Sequence, residues 1–180
     1  MSTLREQAEL AADLLGAAAL ENGRVVCTAE SLTGGMVSSL ITQVPGSSAW
    51  FDRGYVVYQI SAKEEMIDVP EEMIEVHGVV SEPVAEAMAR GALARSRADL
   101  SVALTGVAGP TGGTPETPVG TVCIGWAERD PSGAIATSVR TIHASGDRQT
   151  VRLSAALTAL QGLIALIRGS DPMRMPSPFD

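Results

Sequence analysis

The 180-residue chain has little positive charge for its size. It contains 13 lysine and arginine residues against 21 aspartate and glutamate residues, which gives a formal net charge of −8. A surface that binds nucleic acid needs clustered positive charge to meet the phosphate backbone. The composition therefore predicts no nucleic-acid partner. It is compatible with an anionic small-molecule substrate if a few local groups bind it.

Cysteine and histidine are almost absent. Cys27 and Cys123 lie in apolar, strand-like segments without CxxC spacing, which is typical of reduced core residues in a cytoplasmic protein. His77 and His143 lack HxxxH or HExxH spacing, and no acidic cluster has the pattern of a metal site. We therefore predict a metal-independent reaction without a cofactor, and structural roles for both histidines. A GxSxG motif is also missing, which disfavours an α/β-hydrolase triad.

Long apolar segments are missing as well. No run of 18 apolar residues occurs, and the N-terminal Ser2-Thr3-Leu4-Arg5-Glu6-Gln7 is polar and helical in character rather than a signal peptide. We therefore predict a soluble, cytoplasmic protein with no membrane partner. The length and the 45% of hydrophobic residues fit a single globular domain, which we assign to residues 1–168. The proline-containing residues 169–180 are predicted to be a flexible tail.

The order of apolar patterns and turn signals predicts helices and strands that alternate early, with a hairpin late in the chain. Five segments have strand character: Arg24–Ala29, Phe51–Tyr58, Leu100–Leu104, Val119–Ala127 and Ala134–His143. Six segments have helical character: Leu4–Leu20, Gly34–Val44, Ser61–Ile67, Pro70–Val76, Ser81–Arg97 and Asp147–Arg168. We predict an α/β protein, a single three-layer α/β/α domain. Its mixed, mostly parallel sheet of about five strands should carry helices on both faces.

Two glycine-containing segments follow predicted strands and have the composition of ligand-binding loops. Thr28–Gly35 runs into a helix, where free N–H groups and the helix dipole favour an anion, with Ser31 and Thr33 as further donors. An N-cap followed by glycines that permit close packing explains this spacing equally well. Thr105–Gly113 fits either a ligand-facing loop or a mobile connection. Neither segment matches GxxxxGK[ST] or GxGxxG, which disfavours nucleoside triphosphates and dinucleotides.

Lysine occurs only once, at Lys63, against twelve arginines. A lysine in a desolvated site can lose its proton and act as a base, which arginine does not do. Ser48, Tyr58 and Lys63 fall within sixteen residues of one another, and Ser–Lys pairs are a recurrent alternative to Ser-His-Asp triads. The cluster indicates a lysine-dependent site. The other explanation is a composition bias that replaces lysines by arginines and leaves one lysine by chance.

Six sequence blocks occur in a fixed order along the chain. They are Thr28-Ala-Glu-Ser-Leu-Thr-Gly-Gly, Pro45-Gly-Ser-Ser-Ala-Trp-Phe, Tyr58 with Lys63, Gly78-Val-Val-Ser-Glu-Pro, Thr105-Gly-Val-Ala-Gly-Pro and Pro118-Val-Gly-Thr-Val. Together they resemble the C-terminal domain of the competence/damage-inducible protein CinA, from about Leu4 to Arg168. The resemblance implies a three-layer α/β/α fold. It also implies nicotinamide-nucleotide amidohydrolase activity, which converts nicotinamide mononucleotide to nicotinate mononucleotide and ammonia.

The resemblance further implies roles for individual residues. Ser48 is expected to be the nucleophile, Lys63 its base and Tyr58 the third member of a Ser-Tyr-Lys set that works through an acyl-enzyme. The residues expected to bind the substrate are Ser31, Thr33, Gly34 and Arg148 around its phosphate, with Thr105, Gly106 and Gly109 on the opposite wall. Arg148 could instead be an ordinary solvated helix arginine.

One stretch departs from the pattern of the family. Many members have Asn-Glu between the tyrosine and the lysine, as in Tyr-Ser-Asn-Glu-Ala-Lys, whereas Ile60 and Ser61 stand here. The spacing is kept but the polar lining changes. Two alternatives therefore stay open: a non-catalytic nucleotide-binding or regulatory module, and an amidase for a different amide. We expect the stand-alone form, without the N-terminal domain of longer members, and leave open a homo-oligomer, dimer or higher.

Overall fold

The computed structural model describes residues 2–175, which form five β-strands, six α-helices and two short 3-10 turns. The strands are β1 (Val26–Glu30), β2 (Phe51–Val56), β3 (Leu100–Gly106), β4 (Thr121–Arg129) and β5 (Ile135–His143). The helices are α1 (Leu4–Asn22), α2 (Met36–Gln43), α3 (Ile60–Ile67), α4 (Glu71–His77), α5 (Glu82–Ala94) and α6 (Arg148–Ile167). The 3-10 turns are Ser47–Ala49 and Pro172–Arg174.

The five strands form one sheet in the order β2-β1-β3-β4-β5. β1 is parallel to β2 and to β3, whereas β4 is antiparallel to β3 and to β5. The carboxyl ends of β1, β2 and β3 therefore meet at one edge of the sheet. The chain leaves β1 first toward β2 and later returns to β3 on its other side, and ligands of open α/β sheets bind outside such a reversal of strand order.

The two faces of the sheet carry separate hydrophobic cores. α1, α2 and α6 cover one face, where they pack against Leu100, Val102 and Leu104 of β3. α5 covers the other face above Ala103, with α3 and α4 packed beside it. This alternation follows from the two-residue period of a strand. The predicted three-layer α/β/α fold with a mixed sheet is confirmed, and its strand pairings divide evenly between parallel and antiparallel.

Side-chain caps mark the starts of three helices, whereas α2 and α5 are shorter than predicted. Thr3 and Glu6 form a capping box at α1, while Ser81 and Asp147 accept hydrogen bonds from the first turns of α5 and α6. One boundary differs in a way that matters for the site. β2 ends at Val56, so Tyr58 lies in the loop before α3 rather than in the strand.

α6 is long and apolar enough to cross a membrane by length and composition, but 78% of its apolar window is buried inside the fold. It packs in the layer with α1 and α2.

The predicted tail begins after α6, and the first part of this tail is packed. Pro172 is buried, and Arg140 Nη1 donates to the Met175 carbonyl at 2.7 Å. Residues 176–180 of that predicted tail lie outside the described residues.

Candidate active site

Lys63 lies in the first half of α3 and is completely buried. Its Nζ donates to the Val57 carbonyl at 2.8 Å, to Ser31 Oγ at 3.1 Å and to the Tyr58 carbonyl at 3.3 Å. None of these partners carries a negative charge that would favour the ammonium form. Burial alone lowers the pKa of Lys63 to about 8. The side chain is therefore suited to accept a proton, and the hydroxyl within its reach is that of Ser31.

Ser31 follows β1 directly, at the edge where the three parallel strands end. Its backbone N–H donates to the Leu104 carbonyl of β3 at 3.1 Å, and its own carbonyl accepts from Gly34 N at 3.1 Å in the turn toward α2. The residue is half-buried. Its backbone is thus fixed between β3 and the turn toward α2, and its hydroxyl contacts Lys63.

Ser48 lies at the opposite end of β2. It is exposed in the 3-10 turn that precedes the strand, where the Trp50 carbonyl accepts from Val26 N at the start of β1. Lys63 follows the other end of the same strand, and the register from Phe51 to Val56 spans roughly 17 Å. The structure therefore does not bring Ser48 to Lys63. The expected Ser48–Lys63 pair is corrected to a contact between Ser31 and Lys63.

The turn after β1 does not present a free anion site at the start of α2, because Glu30 fills it. The Glu30 carboxylate accepts from Gly35 N and Val37 N at 3.0 Å and from Ser38 N and Ser38 Oγ at 2.8 Å. The side chain is completely buried. An internal carboxylate thus takes the position that the sequence offered to a substrate phosphate, so the expected phosphate site at this helix end is not available.

The other residues of that turn also differ from expectation. Thr33 is completely buried and its Oγ1 has no hydrogen-bond partner among the described residues. Gly34 is exposed and has the left-handed conformation, with φ of 58°. It faces a shallow pocket toward Arg152 and α1, away from the cleft described below. Ser31 is therefore the member of the predicted phosphate set that meets Lys63.

A cleft of about 490 Å³ is separate from the Ser31–Lys63 contact, since neither residue is among those that line it. Tyr58 joins the two, because its carbonyl holds Lys63 while its half-exposed ring lines the cleft. Arg148, at the start of α6, lines it as well. Arg148 Nη1 donates to the Gly109 carbonyl at 2.8 Å and Nη2 to the Tyr58 hydroxyl at 3.3 Å. The Tyr58 phenol therefore contacts Arg148, and only its backbone contacts Lys63.

The loop after β3 forms much of the cleft wall, as the glycine-rich segment predicted. Gly106 and Gly109 both line the cleft. A Cβ at Gly106 would lie 2.8 Å from the Thr121 carbonyl and one at Gly109 would lie 2.6 Å from Val119 Cγ1, so neither position accepts a side chain in this conformation. Thr105 is buried and donates to the Val79 carbonyl at 2.6 Å. It holds the wall rather than facing the cleft.

The two cysteines and the two histidines lie in different surroundings. Cys27 and Cys123 are buried and unpaired, and burial raises the pKa of the Cys27 thiol to about 12. His143 Nδ1 lies 3.4 Å from Thr121 Oγ1 at the end of β5. His77, predicted to be structural, is exposed in the wall of the cleft. Within residues 2–175, no three His, Cys, Asp or Glu side chains are grouped so as to hold a metal ion.

Sequence reasoning missed Glu30 and Arg152. Arg152 lies one turn after Arg148 on α6, and it donates from Nε to the Leu32 carbonyl at 3.0 Å and from Nη2 to the Thr33 carbonyl at 2.8 Å. The i, i+4 spacing of the two arginines places them on one face of α6, which is a signal in the sequence. For Glu30 the signal is weaker: a charged residue at the end of an otherwise buried strand.

Comparison with known proteins gives consistent results. Residues 8–167 match the family model of the CinA C-terminal domain. A putative competence-damage inducible protein of Symbiobacterium thermophilum is 53% identical over 78% of this chain and 34% of its own length. The nicotinamide-nucleotide amidohydrolase PncC of Escherichia coli K12 is 49% identical over 83% of this chain and 88% of its own length. The chain thus spans only about a third to two fifths of the first relatives it matches, but most of the PncC proteins.

Solved structures agree with this placement. The competence/damage inducible protein CihA from Agrobacterium tumefaciens superimposes with a TM-score of 0.84 at 40% identity, over 92% of this chain and 99% of that protein. A CinA superfamily protein from Escherichia coli gives a TM-score of 0.79 at 34% identity, over 88% and 90% of the two chains.

Proposed function

Since this chain belongs to the CinA C-terminal domain family, we propose that it is a metal-independent amidohydrolase that converts nicotinamide mononucleotide to nicotinate mononucleotide and ammonia. The observation that carries the proposal is the contact between Lys63 Nζ and the Ser31 hydroxyl, 3.1 Å apart, in a buried site that disfavours the lysine cation and that Tyr58 connects to the cleft. The alignment with relatives named nicotinamide-nucleotide amidohydrolase along 87–88% of their length supports the choice of substrate.

The proposed reaction uses Ser31 as the nucleophile and Lys63 as general base. Neutral Lys63 takes the proton of Ser31 Oγ while the oxygen attacks the carboxamide carbon, and the resulting Lys63 ammonium returns the proton to the leaving nitrogen. Ammonia departs and an ester joins Ser31 to the nicotinoyl group. A water molecule, deprotonated by the same lysine, then hydrolyses the ester and releases nicotinate mononucleotide.

The cleft supplies the proposed substrate site. Its volume of about 490 Å³ lies within the range of about 300–1,000 Å³ that is usual for small-molecule sites. We assign the positively charged pyridinium ring to the Tyr58 ring, since a cation is attracted to an aromatic face. We assign the phosphate to Arg148, because a guanidinium binds phosphate oxygens through paired N–H donors. Gly106 and Gly109 let the opposite wall approach closely.

The direct test is incubation of the purified protein with nicotinamide mononucleotide in the presence of EDTA. Ammonia and nicotinate mononucleotide should form in equal amounts, and unchanged substrate would overturn the proposal. Calorimetric binding of the nucleotide without ammonia release would favour the regulatory-module alternative, to which Ile60 and Ser61 gave weight. Release of ammonia from another amide alone would favour an amidase of different specificity.

We retain the cytoplasmic location, the absence of nucleic-acid and membrane partners and the open oligomeric state as predictions.

The activity should depend on pH through Lys63. Burial lowers the pKa of this side chain to about 8, and the neutral amine is the reactive form. We therefore expect kcat/KM to rise about tenfold per pH unit below pH 8 and to level off above it, because kcat/KM reports ionisations of the free enzyme. The measurement is initial ammonia release between pH 6 and pH 10. A profile that is flat from pH 6 to pH 8 would contradict the role of Lys63.

Replacement of Arg148 should weaken binding of the phosphate specifically. In Arg148→Met we expect KM for nicotinamide mononucleotide to rise about 10- to 100-fold, the loss associated with a charge-assisted hydrogen bond, with kcat reduced much less. Hydrolysis of nicotinamide riboside, which lacks the phosphate, should fall much less, since only the contacts of Arg148 with Gly109 and Tyr58 are lost for that substrate. Arg168→Met, an exposed substitution at the other end of α6, is the matched control. An equal loss for both substrates would contradict the assignment.

A further inference from the structure

Glu30 is a buried carboxylate that has no cationic partner within residues 2–175. Its four hydrogen bonds come from three backbone N–H groups and one hydroxyl at the start of α2, with lengths of 2.8–3.0 Å. A carboxylate loses much hydration on burial and stays in place only when such donors replace the water. The positive end of the α2 dipole adds to this stabilisation. Glu30 therefore ties the end of β1 to the start of α2 across the turn that carries Ser31.

The backbone of Glu30 is fixed by the neighbouring strand that leads to Lys63. Its carbonyl accepts from Val57 N at 2.9 Å, and the Val57 carbonyl in turn accepts from Lys63 Nζ at 2.8 Å. Ser31, the next residue, contacts Lys63 through its hydroxyl. One residue thus links the segment that holds the proposed nucleophile, the segment that holds the proposed base and the helix that follows.

The surroundings of the carboxylate are built for this contact. Ser38 Oγ, which donates to Glu30, also lies 2.8 Å from Thr28 Oγ1 on β1. The neighbouring β2 position is Gly54, where a Cβ would overlap Ser38 Oγ and would lie 2.8 Å from Thr28 Oγ1. The network therefore depends on a glycine in the adjacent strand.

We propose that Glu30 is a positioning residue for Ser31, a role that rests on the proposed Ser31–Lys63 reaction. It does not touch the substrate. It fixes the turn so that Ser31 Oγ stays within hydrogen-bond distance of Lys63 Nζ. A displacement of about 1 Å at a reacting group can reduce a rate about 100-fold. Loss of the carboxylate should therefore reduce the reactivity of Ser31 far more than it reduces substrate binding.

The test compares Glu30→Gln with the unaltered protein in two assays. The first is ammonia release from nicotinamide mononucleotide. The second is the rate at which phenylmethylsulfonyl fluoride modifies Ser31, followed by intact mass; the Oγ–S bond forms, fluoride leaves and Lys63 takes the proton. The amide nitrogen of Gln would face backbone N–H donors in place of an acceptor. We expect kcat and the labelling rate to fall about 100-fold, with KM within about twofold.

Two further variants separate positioning from stability. Asp130→Ala removes the acceptor for Ser132 N and Ala134 N in the β4–β5 turn, at the opposite edge of the sheet, and should lower the melting temperature without changing kcat or labelling. Ser38→Ala removes a single donor to Glu30, and it decides the question if Glu30→Gln does not fold; we expect a several-fold loss in both rates. Unchanged kcat and labelling in Glu30→Gln or in folded Ser38→Ala would overturn the proposal, as would a raised KM with unchanged kcat.

The labelling assay also distinguishes this proposal from the choice of substrate. If the unaltered protein is labelled at Ser31 but releases no ammonia from the nucleotide, the proposed substrate is wrong, and the labelling rates of the variants still decide the role of Glu30. If the nucleotide is hydrolysed while Ser31 resists labelling even at high pH, the positioning proposal fails with the nucleophile that it serves.

Discussion

Ser31→Ala should abolish turnover of nicotinamide mononucleotide, whereas Ser48→Ala should leave it unchanged. Removal of a catalytic serine from a comparable unit lowers kcat by roughly 10⁴- to 10⁶-fold, since the remaining groups cannot replace the nucleophile. Ser31 Oγ lies 3.1 Å from Lys63 Nζ, while Ser48 is exposed before the opposite end of β2. The measurement is ammonia release under saturating substrate, together with calorimetric binding of the nucleotide to each variant.

Both variants should remain folded, which makes the comparison direct. The hydrogen bonds that place Ser31 in the turn are made by its backbone and persist in alanine. Nucleotide binding by Ser31→Ala should stay within a few-fold of the unaltered protein, because only the reacting oxygen is lost. Loss of turnover in Ser48→Ala with turnover retained in Ser31→Ala would return the nucleophile assignment to the serine that the family resemblance suggested.

Lys63→Met should reduce kcat on the order of 10⁴-fold while leaving the fold intact. General-base catalysis contributes up to about that factor. Methionine has nearly the length of lysine and no charge, so it fills the same buried space. The ammonium of Lys63 is costly to bury, and its replacement by an apolar group of similar size is often neutral or stabilising even though two carbonyls lose a donor. Thermal unfolding and ammonia release measure the two effects separately.

Lys63→Arg is the companion variant, because it keeps the positive charge and removes the ionisation. Arginine stays protonated at all pH values used, so turnover should fall as far as in Lys63→Met. The larger guanidinium does not fit a completely buried site, and we expect a lower melting temperature as well. Near-normal turnover in either variant would show that the lysine has no role as a base.

Most of the fold could be predicted from the sequence, because its signals are local. The apolar period marks the strands and helices, and the predicted helix starts at Leu4, Ser81 and Asp147 lie within a residue of the observed ones. Sheet order is a long-range property, and the even division between parallel and antiparallel pairs depends on where the late hairpin docks. The sequence placed that hairpin correctly but carried no information about its neighbour in the sheet.

The candidate site was predictable only in part. Lys63 could be identified because its rarity and its neighbours are visible in the chain, and burial gives the expected lowering of its pKa. Its partner could not, because proximity along the chain favoured Ser48, fifteen positions away, on a strand whose extended geometry separates the two. Ser31 is 32 positions from Lys63 and reaches it through parallel pairing of β1 with β2. A straight strand separates its own ends, and only pairing with another strand brings residues together at one end.

The anion-binding expectation failed for a related reason. The composition of Thr28–Gly35 matches a phosphate loop, and nothing in that composition shows whether an internal side chain has taken the site. Glu30 belongs to the same segment, and its carboxylate accepts hydrogen bonds from the start of the helix that follows. An acidic residue at the end of a buried strand, before a glycine-rich helix start, should therefore count against a phosphate in similar sequences.

The two arginines of α6 determine when the site is completed during synthesis of the chain. Arg148 contacts the loop after β3, and Arg152 contacts the turn that carries Ser31, so the last helix of the fold braces both walls of the site. A ribosome has already synthesised Ser31 and Lys63 when α6 is still inside the exit tunnel. A nascent chain therefore contains the proposed reactive pair long before both walls of the site are braced, and we expect the proposed amide hydrolysis to require docking of the C-terminal helix.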